Sequence, residues 1–186
     1  MIAIMSYELI QHLTTLPGSR LRQLFAGNFL FHQGDPVESL FVVEQGMIRL
    51  LRQHADGSLI KLQQAYAQHI LAEASLFSHC YHCAAYVEQQ TAVWAIPKQA
   101  VIHLLNTQPQ MNVQWVKYLT QQVQQARFRS ELLCLRTVAA RLDAWLNWYQ
   151  LPIPNKGEWK GLAEQLGVSP EALYRELAKR PPKISD

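Results

Sequence analysis

Residues 31–62 read FHQGDPVESLFVVEQGMIRLLRQHADGSLIKL. Short apolar runs rich in β-branched and aromatic residues alternate here with turn signals: Gly34-Asp35-Pro36, Glu44-Gln45-Gly46 and Ala55-Asp56-Gly57. Asp-Gly between two strand-like runs is a strong hairpin signal, because glycine takes a positive φ without steric cost. Working outward, strands are expected over Phe29–His32, Leu40–Val43, Met47–Arg52, Leu59–Gln63, Ala84–Glu88 and Ala92–Ile96. So many short strands at this spacing predict a small barrel, roll or sandwich. Before them, Tyr7–Leu13 and Ser19–Phe25 read as two short helices around Pro17-Gly18, with Ser19 as an N-cap.

Behind the strands the period becomes helical. From Pro109 to Leu133 there is no internal Gly or Pro, and Val116, Leu119, Val123, Ala126, Ser130 and Leu133 recur at alternating spacings of three and four. This is a heptad seam with polar residues on the other faces, the pattern of a dimer helix; a helix lying on its own core would also show it. Thr137 can cap a further helix, VAARLDAWLNWY. After the loop Leu151–Gly157 come WKGLAEQL, the turn Gly167-Val168-Ser169 and PEALYRELAKR. Ser169 reads as the N-cap of that last helix, Pro170 as its first residue, and Glu171 complements its dipole. Helix, glycine turn, helix is the layout of a helix-turn-helix, and equally of a plain helical hairpin. The expected class is α+β, with a strand-rich segment over 1–108, a long helix over 109–134 and a helical segment over 135–186.

Composition sets outer bounds. The 186 residues are 49 % hydrophobic and 17 % charged, which suits globular domains and excludes a disordered chain. Apolar runs are far shorter than a membrane span, and MIAIMSYELI lacks the basic region of a secretion signal. Three cysteines, Cys80, Cys83 and Cys134, make no disulfide framework, so a reducing cytoplasm is expected. Residues 127–186 hold ten Lys/Arg against seven Asp/Glu, net +3, whereas residues 1–126 balance at seven of each. The excess positive charge is thus all behind the start of the long helix, where a polyanion partner would meet it.

Taken together, Gly34-Asp35, the Leu40-Phe41 strand, Gly46, the Asp56-Gly57 hairpin and LAEASLF at 71–77 are similar in order and spacing to the cyclic-nucleotide-binding β-roll of the CRP/FNR regulators. Ile96-Pro97, Leu104-Leu105 and Pro109 continue the likeness, and LAEQLGVSPEALYRELAK resembles the family's LAxxLGxSRExVSRxLxxL. The resemblance implies a double-stranded β-roll sensor, a dimerisation helix with the six seam residues at the interface, and a winged-helix-like helix-turn-helix with a reduced or absent wing. It implies a cytoplasmic bacterial transcription regulator that binds double-stranded DNA as a homodimer, with RNA polymerase and a small effector as further partners, and no cofactor or membrane. On the DNA side it points to Ser169, Pro170, Glu171, Tyr174 and Arg175, with Lys160, Lys179 and Arg180 on phosphates. Arg175 suits guanine and Glu171 suits cytosine.

Two departures stand out. Pro170 replaces an Arg of the family pattern, and only PPKISD follows Arg180, too little for a wing. The family's phosphate cassette resembles Phe-Gly-Glu-x-Ser/Ala followed by Arg-Ser/Thr. Here the effector pocket would be Leu71-Ala72-Glu73-Ala74-Ser75 with Cys83-Ala84, and no Lys or Arg stands between Lys61 and Lys98. Only Glu73 survives of the polar set, so no cyclic nucleotide is expected to bind. His79, Cys80, His82 and Cys83 form an overlapping Cys-x-x-Cys and His-x-x-His, which could hold zinc or copper or sense redox state, but real zinc sites usually draw on a second ligand pair that is not found here. The expected reading of that segment is a loop without metal. A rival is a β-roll protein that has lost specific DNA binding and acts through protein contacts. An enzyme of cupin type would need a His-x-His pair with a nearby Glu, which the strands lack.

Overall fold

A computed structural model describes residues 2–180, with side chains from Tyr7 onward. The elements run α1 (Ile2–Thr14), β1 (Arg20–Leu24), β2 (Phe29–Phe31), β3 (Ser39–Gln45), β4 (Ile48–Gln53), β5 (Leu59–Ala65), β6 (Ile70–Leu71), β7 (Ala84–Val87), β8 (Thr91–Pro97), α2 (Lys98–Thr107), α3 (Pro109–Cys134), α4 (Val138–Tyr149), α5 (Trp159–Leu166) and α6 (Pro170–Leu177). The fold is mixed α+β, with the strands before Lys98 and helices after it. The chain divides into two compact units, one ending at Tyr118 and one beginning at Leu119, so α3 contributes to both.

In the first unit the described strands form two four-stranded sheets, ordered β1-β8-β3-β6 and β2-β7-β4-β5. All the pairings are antiparallel. Alternation along the strands explains the core: Ile48 and Leu50 of β4, Ala85 and Val87 of β7, and Phe41 and Val43 of β3 all point into one cluster with Leu24, Phe31, Leu71 and Val93. Each buried Leu, Val or Phe side chain contributes roughly 1.5–3 kcal/mol by leaving water. The Asp56-Gly57 hairpin is present, with Gly57 at φ 84° and Ser58 N donating to Asp56 Oδ1 at 2.9 Å.

Ser19–Phe25 is not a helix. Arg20–Leu24 forms β1, paired with β8 from Arg20↔Ala95 to Leu24↔Thr91. The segment has good helix formers, but the ladder on β8 pairs the backbone groups along one side of the strand and buries Leu24, which an isolated turn of helix could not do. Ser19 accordingly caps no helix; its Oγ donates to Leu13 O at 3.2 Å. The two-residue β6 had no signal of its own in the sequence.

On the sheets lie α2, through Val101, Leu104 and Leu105, and the start of α3, through Met111, Trp115 and Tyr118, all buried. Tyr118 accepts from Ile70 N at 3.2 Å and donates to Ile70 O at 3.4 Å, which ties α3 to the strand just before residue 72. In the second unit one core joins Phe128 and Leu132 of α3, Leu142 and Trp145 of α4, Leu162, Ala163 and Leu166 of α5, and Leu173 and Leu177 of α6. Thr137 caps α4, accepting from Ala140 N at 3.1 Å. The segment that would hold a wing, residues 181–186, lies outside the described residues. Among the described residues no helix is long and apolar enough to cross a membrane.

Candidate functional site

The segment 71–84 folds onto the edge of the first unit. Leu71 ends β6, and Ala72 follows at φ 67°, ψ 11°. Left-handed backbone is glycine territory, and a Cβ there costs on the order of 1–2 kcal/mol. The chain therefore keeps a glycine-like turn with alanine in it, and a 3-10 turn over Glu73–Ser75 starts from there. Ser75 is buried, its Oγ 2.8 Å from His82 Nδ1. Cys83 is buried and Ala84 opens β7, so the cassette residues do come together around one turn.

What surrounds them is mostly apolar. Phe31 stacks on Tyr81 at 4.0 Å between centroids and on Phe41 at 5.6 Å. Tyr81 donates its hydroxyl to Ser39 O at 2.7 Å. Burial pushes the Cys83 thiol up to about 11, with the Glu73 charge adding to the rise. Such a thiol is not a ready thiolate for metal or oxidant. Cys80 and His79 are exposed, and no group of three His, Cys, Asp or Glu side chains among the described residues is placed to share a metal ion.

Sequence reasoning missed one cation. Pairing of β4 with β7 sets Leu51 opposite Ala84, and the neighbouring Arg52 donates its Nε to His82 O at 3.3 Å. Its charge lowers the His82 pKa, after the larger effect of burial. Arg52 is exposed. Only the cross-strand register, which a single sequence does not display, could have placed it.

Burial holds the Glu73 carboxyl above its ordinary value, opposed by backbone hydrogen bonds to Glu73 and Ala74. The folded state therefore binds a proton more readily than the unfolded chain. Stability should fall as pH rises from the ordinary glutamate range through the raised folded pKa, and level off above it. Glu73→Gln should flatten that part of the profile and raise the melting temperature at neutral pH. Thermal melts of both proteins across pH 4–8 check this, since an unchanged profile contradicts it.

The second candidate region is α5, its turn and α6. Gly167 closes α5 in the left-handed conformation at φ 65°, and Ser169 Oγ accepts from Ala172 N at 3.2 Å, with Pro170 in the first turn. Leu173 and Leu177 face the core, so Glu171, Tyr174 and Arg175 fall on the outer face, all exposed. No ion pair joins Glu171 to Arg175 among the described residues. Tyr174 packs its ring on Trp159 at 5.5 Å, so it also braces α5 against α6. Lys160 and Lys179 are exposed. Arg180 is engaged inward: Nη1 meets Asp143 Oδ1 at 2.6 Å, and Nε meets Glu176 Oε1 at 3.2 Å. It pins α6 to α4, a role its sequence position gave no sign of.

Along α3 most of the seam residues are exposed. Val116, Val123 and Leu133 are 54, 48 and 56 % exposed, Ala126 and Ser130 are exposed, and Leu119 is partly buried.

Comparisons with known proteins bear on the first unit most directly. Residues 21–108 match the family described as cyclic nucleotide-binding domain. Among curated proteins, the Drosophila mojavensis neuropathy target esterase sws is 25 % identical over 118 residues, 59 % of this chain and 8 % of the esterase. This chain thus spans a small part of the length of that protein. Among solved structures, the c-di-GMP responsive global regulator CLP of Xanthomonas campestris superposes with TM-score 0.62 at 18 % identity, covering 94 % of this chain and 89 % of that one. DNR from Pseudomonas aeruginosa gives 0.57 at 19 %, covering 94 and 82 %. The catabolite activator protein of Thermus thermophilus gives 0.55 at 20 %, covering 92 and 81 %. At such identities the likeness is one of fold. Residues 21–108 thus match the cyclic nucleotide-binding domain family, and a long helix and a helical unit follow in the order found in the fold of these solved structures.

Proposed function

We propose that this chain is a homodimeric, DNA-binding transcription regulator of the CRP/FNR type, whose roll has lost the phosphate contact for cyclic nucleotide. The observation that carries the reading is α6: a capped helix whose apolar stripe is buried and whose outer face presents Glu171 and Arg175 without an ion pair between them. A residue pair four apart shares a helix face and can meet neighbouring base pairs in the major groove. Arg175 would bind guanine O6 and N7, and Glu171 would accept from cytosine N4. Lys160 and Lys179 would sit on phosphates, carrying affinity without sequence information. With Arg180 held by Asp143 and Glu176, its part is to hold α6 in place. The exposed seam on α3 supports pairing of two copies through Val116, Leu119, Val123, Ala126, Ser130 and Leu133.

The two kinds of contact separate by experiment. Arg175→Ala should cost roughly 1–3 kcal/mol on the preferred duplex and relax one base position. Lys179→Ala should weaken all duplexes alike and lower the salt slope by about one. Equal weak binding to every duplex, unchanged by Arg175→Ala, would favour a roll protein that acts through protein contacts.

The roll supports no cyclic-nucleotide affinity of the usual kind. Cys83 and Ala84 stand at the Arg-Ser/Thr positions of the cassette, Cys83 is buried, and Arg52 is exposed with its Nε on His82 O. A phosphate brought against Cys83 and Glu73 would be buried without the arginine that the family pattern sets in the cassette. Calorimetry with cyclic AMP and cyclic GMP should show no saturable heat; a one-per-subunit isotherm at about micromolar concentration contradicts this.

A further inference from the structure

One side chain that no sequence motif singled out joins three helices of the second unit. Arg141 lies in the first turn of α4, its own N–H donating to Thr137 O at 3.1 Å. Its Nε donates to Leu135 O at 2.9 Å and its Nη2 to Leu133 O at 3.2 Å. Its Nη1 donates to Leu166 O at 3.0 Å and to Gly167 O at 2.9 Å. The first two carbonyls belong to the end of α3, and the second two to the end of α5. Helix C-termini leave carbonyls without intrahelical partners and carry partial negative charge, so one guanidinium satisfies both ends at once. An arginine can do this because its planar fork holds five donors in fixed directions. The same place is also packed tightly: a Cβ on Gly167 would come within 2.8 Å of Leu133 Cδ2 and 3.4 Å of Arg141 Nη1.

We propose that Arg141 is a positioning residue for DNA reading: it fixes the α5–α6 turn to the end of α3, and so sets which separation of half-sites the two copies can read together. This rests on the reading of α6 as the DNA-contacting helix and α3 as the dimer helix. The shared apolar core holds these helices together but is non-directional, and it tolerates small slides and rotations. Four directed hydrogen bonds to two helix ends do not. A dimer with fixed reading heads gains avidity only on sites whose spacing fits, and a loosened one loses that selectivity without losing its base contacts.

The test uses the full chain, wild type and the variants Arg141→Met and Arg141→Lys, each checked for helix content. The probes are duplexes carrying two copies of the preferred half-site, with their separation stepped one base pair at a time across a helical turn. Wild type should prefer one separation on the order of a hundredfold over the worst, and Arg141→Met should compress that range to within about threefold. Its preference at the base read by Arg175 should remain. Arg141→Lys should fall between the two, because a single ammonium cannot span both helix ends. A uniform loss of affinity with an unchanged separation profile in both variants overturns the inference, as does loss of fold in both, since stability would then be the whole role. Wild type with no preference among any duplexes is a different failure: it removes the reading of α6 itself, and the inference falls with it.

Discussion

Leu119→Asp with Val123→Asp should yield a folded monomer that, on the proposed reading, holds DNA much more weakly than the wild type. Both residues lie on the α3 seam, and neither is buried as Trp115, Tyr118, Phe128 and Leu132 are. In a paired helix each copy would bring two carboxylates into an apolar seam, four in all, with no cation opposite. Unpaired buried charges cost several kcal/mol each, so the association constant should fall by on the order of a thousandfold or more. In the monomer Val123 is exposed and Leu119 only partly buried, so helix content should be nearly unchanged. DNA affinity should drop on the order of a hundredfold, because two linked reading heads become one. Sedimentation velocity reads the first effect and a binding titration the second. A wild-type chain already monomeric at about tens of micromolar, or a variant that stays dimeric, contradicts the seam.

Gly46→Ala is expected to be the most destabilising single methyl in the roll. Gly46 turns the chain between β3 and β4 at φ 96°, a conformation L side chains rarely adopt. The added Cβ would collide with Thr91 Oγ1, and would lie 2.7 Å from Gln90 O and 2.8 Å from Thr91 Cα. Two of these are backbone atoms and cannot swing away. Thr91 is itself buried and bonded, accepting from Met47 N at 3.1 Å and donating to Gln89 O at 2.7 Å. The collision therefore spreads into the start of β8, the strand that pairs both β1 and β3. Strain and overpacking together should cost about 3 kcal/mol or more. Chemical denaturation checks it, and Gly57→Ala is the control: its φ is 84°, but nothing lies within 4 Å of the added methyl. Equal losses in the two variants would mean that φ alone, and not the contact with β8, decides.

Much of this fold was legible because local signals and tertiary demands agree. The turns at Gly34, Gly46 and Gly57 all take positive φ, and the six expected strands are present, most of them within one or two residues of the expected bounds. The long helix runs Pro109–Cys134. Where local preference and pairing disagree, reading fails. Arg20–Leu24 has the composition of a helix and becomes a strand only because β8 offers an open edge. The candidate sites show the same division. The N-cap Ser169 and the outward Glu171 and Arg175 follow from helical spacing, which is local. Arg52 beside His82, Arg180 on Asp143, Tyr174 on Trp159 and Arg141 on four carbonyls are contacts between different elements of the fold. Nothing in one sequence marks which partner a long polar side chain will find.

The most direct measurement is selection of random duplexes by the purified 186-residue chain at fixed, physiological salt. A dimer reading through α6 should enrich a near-palindrome whose half-sites lie about 10 base pairs apart, with one guanine position that Arg175→Ala relaxes. Recovery of no enriched sequence, with equal weak binding to every duplex that vanishes as salt rises, would contradict it.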